Sequence, residues 1–103
     1  MIRIECIREN RNIIYLSLKG HANSDEKGKD LVCAAISAII TGGLNALNDP
    51  KSFDIIFEEG HVEVKAKNSV QKYDYDVLKV ILTQLKTVQE KNSKYINLVE
   101  KGS

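Results

Sequence analysis

The sequence predicts an α+β fold, a two-layer sandwich in which two helices cover one mainly antiparallel sheet of about five strands. Alternating apolar and polar residues come in adjacent pairs of segments, which indicates hairpins. Two longer stretches repeat apolar residues at helical spacing. The order of elements is strand, strand, helix, strand, strand, helix, strand. The 103 residues are expected to form a single domain over 1–103.

The first hairpin is predicted from two short alternating segments separated by a polar turn at residues 9–12. Gly20 ends the second segment. One face of each strand is expected to lie against the core, because side chains alternate across a strand. The residues assigned to this inner face are Ile2, Ile4, Cys6, Ile14, Leu16 and Leu18.

The first helix is predicted to follow a polar loop at residues 21–29, with Asp30 as its amino-terminal cap. The helix should run to about Leu47, where residues 48–50 stop it. Gly42 and Gly43 interrupt the pattern and indicate either a close packing contact or a bend. The apolar residues that define the helix are Leu31, Val32, Ala35, Ile36, Ile39 and Ile40.

The second half of the chain repeats the hairpin-then-helix order. Glu59 and Gly60 form the turn of the second hairpin, and the second helix is expected to start near Asp74 or Asp76. A short last strand closes the pattern. The apolar residues used here are Phe53, Ile55, Phe57, Val62, Val64 and Ala66 for the hairpin, Val77, Leu78, Ile81, Leu82, Leu85 and Val88 for the helix, and Ile96, Leu98 and Val99 for the last strand.

Composition argues against several classes of function. The net charge is +1 and there is no basic run, so direct nucleic-acid binding is not expected. No signal peptide or apolar run of membrane-spanning length is present, which predicts a cytoplasmic protein without a membrane partner. In a reducing compartment the two cysteines are expected to be free thiols.

Cys33 and His21 offer the strongest candidate chemistry in the chain. With Asp30 as cap, Cys33 would lie in the first helical turn, where free amides and the helix dipole stabilise a thiolate. Asp30, Cys33 and Ser37 are spaced three and four residues apart and should share one helix face. The sequence therefore predicts a cysteine nucleophile at the start of this helix.

His21 completes the arrangement if the loop folds back onto the helix. An imidazole near the thiol would take its proton and later protonate the leaving amine. The amides near Cys33 could hold the oxyanion of the tetrahedral intermediate. Asp30 or Asp25 could orient the imidazole, and Gly20 and Gly28 are expected to act as hinges of the loop.

Spacing alone leaves other interpretations open. A cysteine in an alanine-rich helix is most often a small buried hydrophobe, and a histidine on a loop is most often solvated. Zinc binding by Cys6, His21, Cys33 and His61 lacks the closely paired ligands of structural zinc sites, so no metal is expected. His61 is expected to face water after the second hairpin turn.

A longer string of residues resembles the signature of the bacterial ribosomal-processing cysteine protease family. Residues 20–47 carry the specific part of the likeness, and the order of elements and the length extend it over nearly the whole chain. The matching positions are Gly20-His21-Ala22, Gly28, Asp30, Val32-Cys33-Ala34-Ala35, Ser37-Ala38 and Asn45.

This resemblance implies a small cytoplasmic homodimer that needs no cofactor. It implies a cysteine endopeptidase that removes the amino-terminal extension of bacterial large-subunit ribosomal protein twenty-seven, cutting within a motif of aromatic residues followed by a small one. Cys33 is then the nucleophile and His21 the general acid and base, with Asp30 and Ser37 in supporting roles. Two alternatives remain: a non-catalytic ribosome-associated module that binds the same peptide, and a protein that binds ribosomal RNA.

Overall fold

The computed structural model describes the backbone of residues 1–20 and 27–103, and the side chains of residues 1–20 and 31–103. Two 19-residue helices and five strands make up most of this part of the chain. In chain order they are β1 (Ile2–Glu9), β2 (Asn12–Lys19), α1 (Lys27–Asn45), β3 (Phe53–Glu58), β4 (His61–Ala66), α2 (Lys72–Glu90) and β5 (Ile96–Gly102), with a short 3-10 turn at Pro50–Ser52 before β3.

The five strands form one sheet in the order β3-β4-β2-β1-β5. The pairs β1–β2, β2–β4 and β3–β4 are antiparallel, whereas β5 runs parallel to β1 from Ile2↔Ile96 to Arg8↔Gly102. The predicted ββαββαβ order is confirmed, and the sheet is mixed through this one parallel pair. Strands β3 and β5 are its two edges.

The core lies between the inner face of the sheet and the two helices. A bulge alters the register predicted for β2: Ile7 pairs with Tyr15, but Arg8 pairs with Ile13. Ile13 is therefore buried, and Ile14, which the alternation assigned to the core, is only half-buried. One extra residue in a strand shifts the alternation by one position, which a simple period of two does not show.

Helix α1 begins at Lys27, three residues before the predicted cap. Asp30 therefore lies inside the helix, and its predicted role as the amino-terminal cap is wrong. Gly28 lies in the first helical turn, so its predicted role as a loop hinge is wrong as well. Cys33 is consequently about two turns into the helix rather than in its first turn.

Helices α1 and α2 pack closely at Gly43. A Cβ built on Gly43 would lie 2.3 Å from Cγ1 of Ile81, whereas one on Gly42 would have nothing within 4 Å. Gly43 is thus the close contact that the sequence left undecided, and Gly42 faces outward. Leu31 is 72% exposed, so its predicted place on the buried helix face is wrong.

Asp74 ties the start of α2 to the segment that follows α1. Its carboxylate is fully buried and accepts hydrogen bonds from the backbone amides of Asn48 (2.7 Å) and Asp49 (2.9 Å). An acidic residue in the first turn also complements the helix dipole. The connection from α1 to β3 is held by a side chain from the second helix.

Strand β3 alternates as predicted but is poorly covered. Phe53 is buried, whereas Ile55 and Phe57 on the same face are 36% and 52% exposed, so their predicted burial is wrong. At an edge of the sheet, the helix layer covers only one end of the strand. In the described part of the chain, neither helix is long and apolar enough to cross a bilayer.

Candidate active site

An open groove of about 530 Å³ lies beside helix α1 at one end of the sheet. Cys33, Ser37 and Thr41 line it from the helix, because residues four apart share one helix face. The shared face predicted for Cys33 and Ser37 is confirmed. Thr41 lies one turn further on, and the same spacing would have found it. Cys33 is half-buried and packs against the core.

The opposite wall of the groove comes from the turn between β3 and β4. Apolar side chains from the sheet and the helix make up much of the lining, which suits extended peptides with apolar side chains. Sequence patterns do not bring these elements together, since they are far apart along the chain. The groove residues that such patterns miss are Ile2, Leu18, Lys19, Phe57, Glu58, Glu59, Gly60 and Val62, together with Ile36, Ile40 and Thr41 from α1.

Gly20 fixes the point at which the segment carrying His21 leaves the sheet. Its φ of +132° is a conformation that other residues rarely adopt, and a Cβ there would lie 2.4 Å from the carbonyl oxygen of Met1. Its amide also donates a hydrogen bond to the carbonyl of Gly60 at 3.1 Å. His21 itself lies outside the described residues, as does Asp25, so its predicted approach to Cys33 remains a prediction.

His61 lies at the rim of the groove and is half-buried, contrary to the expectation that it faces water. Its Nε2 lies 2.6 Å from Oε2 of Glu63, whose Oε1 accepts a hydrogen bond from the hydroxyl of Tyr15 at 2.9 Å. Hydrogen bonds from His61 and then Tyr15 lower the pKa of Glu63. Glu63 thus holds His61 in place at the rim of the groove and binds Tyr15 on the neighbouring strand.

The position of Cys33 changes the chemistry expected of its surroundings. The helix dipole acts mainly within the first turn, and amides two turns into a helix are bonded to carbonyls four residues back. The unpaired amides proposed to stabilise a thiolate and an oxyanion at Cys33 are therefore absent from this position. The groove offers the hydroxyls of Ser37 and Thr41 instead as hydrogen-bond donors on the same helix face.

The second cysteine is separate from this site. Cys6 is fully buried on the inner face of β1, and burial raises the pKa of its thiol. Over the residues that the structure describes, no group of three His, Cys, Asp or Glu side chains is arranged to hold a metal ion. Cys6 is a structural thiol, as its place in the strand pattern predicted.

Comparison with known proteins agrees with the fold. Residues 1–97 match the family model described as cysteine protease Prp. Ribosomal processing cysteine protease Prp of Staphylococcus aureus is 27% identical over 96 residues, covering 89% of this chain and 91% of that protein. The protein of the same name from Mycoplasma genitalium is 58% identical over 38 residues, which cover 37% of this chain and 38% of that protein.

Solved structures show the same relationship. The crystal structure of Prp from S. aureus with a covalently linked product peptide superposes with a TM-score of 0.84 at 27% identity, covering 98% of this chain and all of that chain. Another crystal structure of that protein, with a substrate peptide, also gives a TM-score of 0.84. A family match over residues 1–97, together with this fold, shows that the chain belongs to the cysteine protease Prp family and is a cysteine protease.

Proposed function

We propose that this protease removes the amino-terminal extension of bacterial large-subunit ribosomal protein twenty-seven during ribosome maturation. The observation that carries the proposal is the groove: a half-buried thiol, Cys33, lies in an open channel lined by both apolar and polar side chains. Such a channel fits an extended peptide with aromatic side chains near the scissile bond. The S. aureus relative is named as a ribosomal processing cysteine protease, which supports a ribosomal protein as the class of substrate.

In the proposed mechanism, the thiolate of Cys33 attacks the scissile carbonyl and forms a tetrahedral intermediate. His21 takes the thiol proton and gives it to the leaving amine, and water then hydrolyses the acyl-enzyme. Asp30 supports the orientation of the imidazole, and Ser37, one turn along α1 from Cys33, stabilises the developing oxyanion. Gly20 holds the start of the segment that carries His21.

We propose further that the enzyme works in the cytoplasm as a homodimer and needs no cofactor or metal. The chemistry requires only a thiol, an imidazole and water. No direct contact with nucleic acid is needed to recognise the extension, and the net charge of +1 gives little electrostatic attraction to ribosomal RNA. Sedimentation or light scattering of the purified protein tests the oligomeric state.

The decisive experiment mixes the purified protein with a peptide that spans the extension and follows its mass under reducing conditions. Wild type should cut the peptide once, within the aromatic motif. Cys33→Ala should lower the rate by about a thousandfold or more, because nothing replaces the nucleophile. His21→Ala should do the same. The control is Cys6→Ala at the buried structural thiol, which should keep catalytic activity once its folding has been verified.

Two results would change the proposal. Cleavage that survives Cys33→Ala would mean that another group is the nucleophile or that a contaminant cuts the peptide. Tight binding of the peptide by wild type without any cut would favour a module that recognises the extension but does not process it.

A further inference from the structure

The two edges of the sheet differ in their chemistry. Strand β5 carries charged residues that form ion pairs: Glu100 lies 2.6 Å from Arg8 and 2.9 Å from Lys86, and Lys101 lies 2.7 Å from Glu5. Charges of this kind are a common way to protect an edge from pairing with another strand. Edge β3 has no such protection at its centre, where Ile55, Ile56 and Phe57 follow one another.

The centre of β3 is apolar on both faces of the sheet. Ile55 and Phe57 face the helix side and are 36% and 52% exposed, while Ile56 faces the other side and is 40% exposed. Among the residues that the structure describes, β3 pairs with β4 alone, so the other side of its backbone leaves amides and carbonyls available to a new strand. An extended peptide laid along this edge would cover all three side chains and satisfy those groups.

The exposed edge is continuous with the groove that contains Cys33. Phe57 and Glu58 belong to the carboxyl end of β3 and also line the groove. A peptide that extends out of the groove past Phe57 would therefore run directly along the unpaired side of β3. Addition of a strand at a sheet edge is a known mode of peptide recognition, with affinity from the backbone and specificity from alternate side chains.

Charge argues against a second copy of β3 as the occupant. Antiparallel pairing of two β3 strands centred on Ile56 would place Asp54 directly opposite Glu58 on the same face of the sheet. Like charges opposite one another destabilise a strand pair. Lys67 lies 3.6 Å from Asp54, but no such cation is recorded for Glu58 in the described part of the chain. A peptide with a basic side chain opposite Glu58 fits this edge better.

We propose that the β3 edge binds the part of the substrate peptide that extends beyond the groove, as a sixth strand with apolar side chains near Ile55–Phe57 and a basic one opposite Glu58. This inference rests on the proposed function and assigns a place to the substrate outside the catalytic groove. It makes β3 a specificity-determining element of the protease, and it explains why the centre of this edge stays apolar while β5 carries ion-paired charges.

Backbone methylation of the peptide gives the sharpest test. The probe is a synthetic peptide with the ribosomal extension, the cleavage motif and the flanking residues, N-methylated at one position at a time. Dissociation constants are measured with the uncleaving variant Cys33→Ala. In a paired strand every second amide points at the neighbour, so alternate methylations at one end of the peptide should weaken binding by about tenfold. Methylation at the intervening positions should change the dissociation constant by less than about twofold.

A matched pair of variants tests the edge from the protein side. Ile56→Lys places a charge at the centre of β3. Val99→Lys places one on β5, on the same face of the sheet as Ile56, and the two native side chains are similarly exposed, at 42% for Val99 and 40% for Ile56. Ile56→Lys should raise KM for the long peptide by about fivefold to tenfold with kcat retained. Val99→Lys should change KM by less than about twofold. A short peptide that fills only the groove should be indifferent to both variants.

The outcomes separate this inference from the proposed function. Cys33-dependent cleavage with no alternation in the methylation series, and equal effects of Ile56→Lys and Val99→Lys, would overturn the strand-pairing proposal and leave the protease function intact. Alternating effects on binding without cleavage would support the edge and overturn the proposed cleavage. Absence of both binding and cleavage would overturn both proposals.

Discussion

Gly43 lies directly against Ile81, where a Cβ on residue 43 would come within 2.3 Å of Cγ1 and 2.5 Å of Cδ1. Ile81 is 1% exposed and packed on its other sides, so it has little room to move away. The missing side chain at Gly43 is what lets α1 and α2 approach at this point. Cys33 lies on the same helix, so the contact also contributes to the position of that thiol relative to the sheet.

Gly43→Ala should therefore destabilise the protein, whereas Gly42→Ala should stabilise it. Alanine is favoured over glycine in a helix by about 1 kcal/mol, and at Gly42 nothing opposes that gain. At Gly43 the overpacking costs about 1–3 kcal/mol and outweighs it. Chemical denaturation of the two variants gives the free energies of unfolding.

The reason for the difference can be tested with Ile81→Val. Shortening Ile81 removes Cδ1, one of the two atoms nearest to the new methyl group, so the double variant Gly43→Ala/Ile81→Val should lose less stability than the two single changes added together. Strict additivity would show that the clash with Ile81 is not the cause.

Asp74→Ala should cost about 2–4 kcal/mol of stability, because it leaves the amides of Asn48 and Asp49 without their buried acceptor. Asp76→Ala is the control two residues along the same helix. Its carboxylate pairs with Lys72 at 2.8 Å but is 55% exposed, so its loss should cost less than about 0.5 kcal/mol. Thermal or urea unfolding distinguishes the two, and equal losses would contradict the structural role of Asp74.

Glu100 should contribute stability at neutral pH that disappears in acid. Hydrogen bonds from Arg8 and then Lys86 lower the pKa of Glu100 in the folded protein. Its contribution is thus present above the ordinary glutamate pKa and is lost as pH falls below that value and through the lowered one. Glu100→Gln should reduce the free energy of unfolding by about 1 kcal/mol or less at pH 7, since the group is partly exposed.

Repeating the measurement on Glu100→Gln over a series of pH values provides a control. The difference between wild type and Glu100→Gln should shrink as pH falls below the ordinary glutamate range. If the difference in free energy of unfolding stays constant down to strongly acid pH, the substitution acts through the shape of the side chain and not through its charge. Lys72→Ala, at an exposed pair on α2, should show no comparable effect.

The two cysteines should react very differently with an alkylating reagent. Burial raises the pKa of Cys6 and shields it, whereas Cys33 lines an open groove. In the native protein Cys33 should be modified faster than Cys6 by about a hundredfold or more, since Cys6 becomes accessible to the reagent only when the protein unfolds locally or globally. Peptide mapping after timed labelling gives both rates, and comparable labelling of Cys6 in the native state would refute the assignment.

Local patterns in the sequence predicted the elements and part of the site. The spacing of Cys33 and Ser37 placed both on the helix face that lines the groove, because a helix carries its periodicity within a few residues. The alternation at Phe53, Ile55 and Phe57 also gave the correct face of β3. The exposure of Ile55 and Phe57 depends on the position of β3 at the edge of the sheet, and a local sequence pattern carries no information about that position.

The errors have physical causes in particular residues. Asp30 is a good cap and Gly28 suggests a loop, so both residues predict a later start for α1 than Lys27, where the helix begins. Ile14 follows the alternation of β2, but the bulge brings Ile13 inward instead. The groove wall at Phe57 and Gly60 comes from tertiary packing, and residues far from Cys33 in sequence give no sign of it beforehand.

The parallel pairing of β1 with β5 has a consequence for synthesis. Ile2 lines the groove, and its strand is completed on one side by Ile96, a partner 94 residues later. Contacts at such separation form late, because a long loop must close first. A growing chain therefore cannot complete this wall, or the groove that it borders, before strand β5 has been synthesised and has left the ribosome.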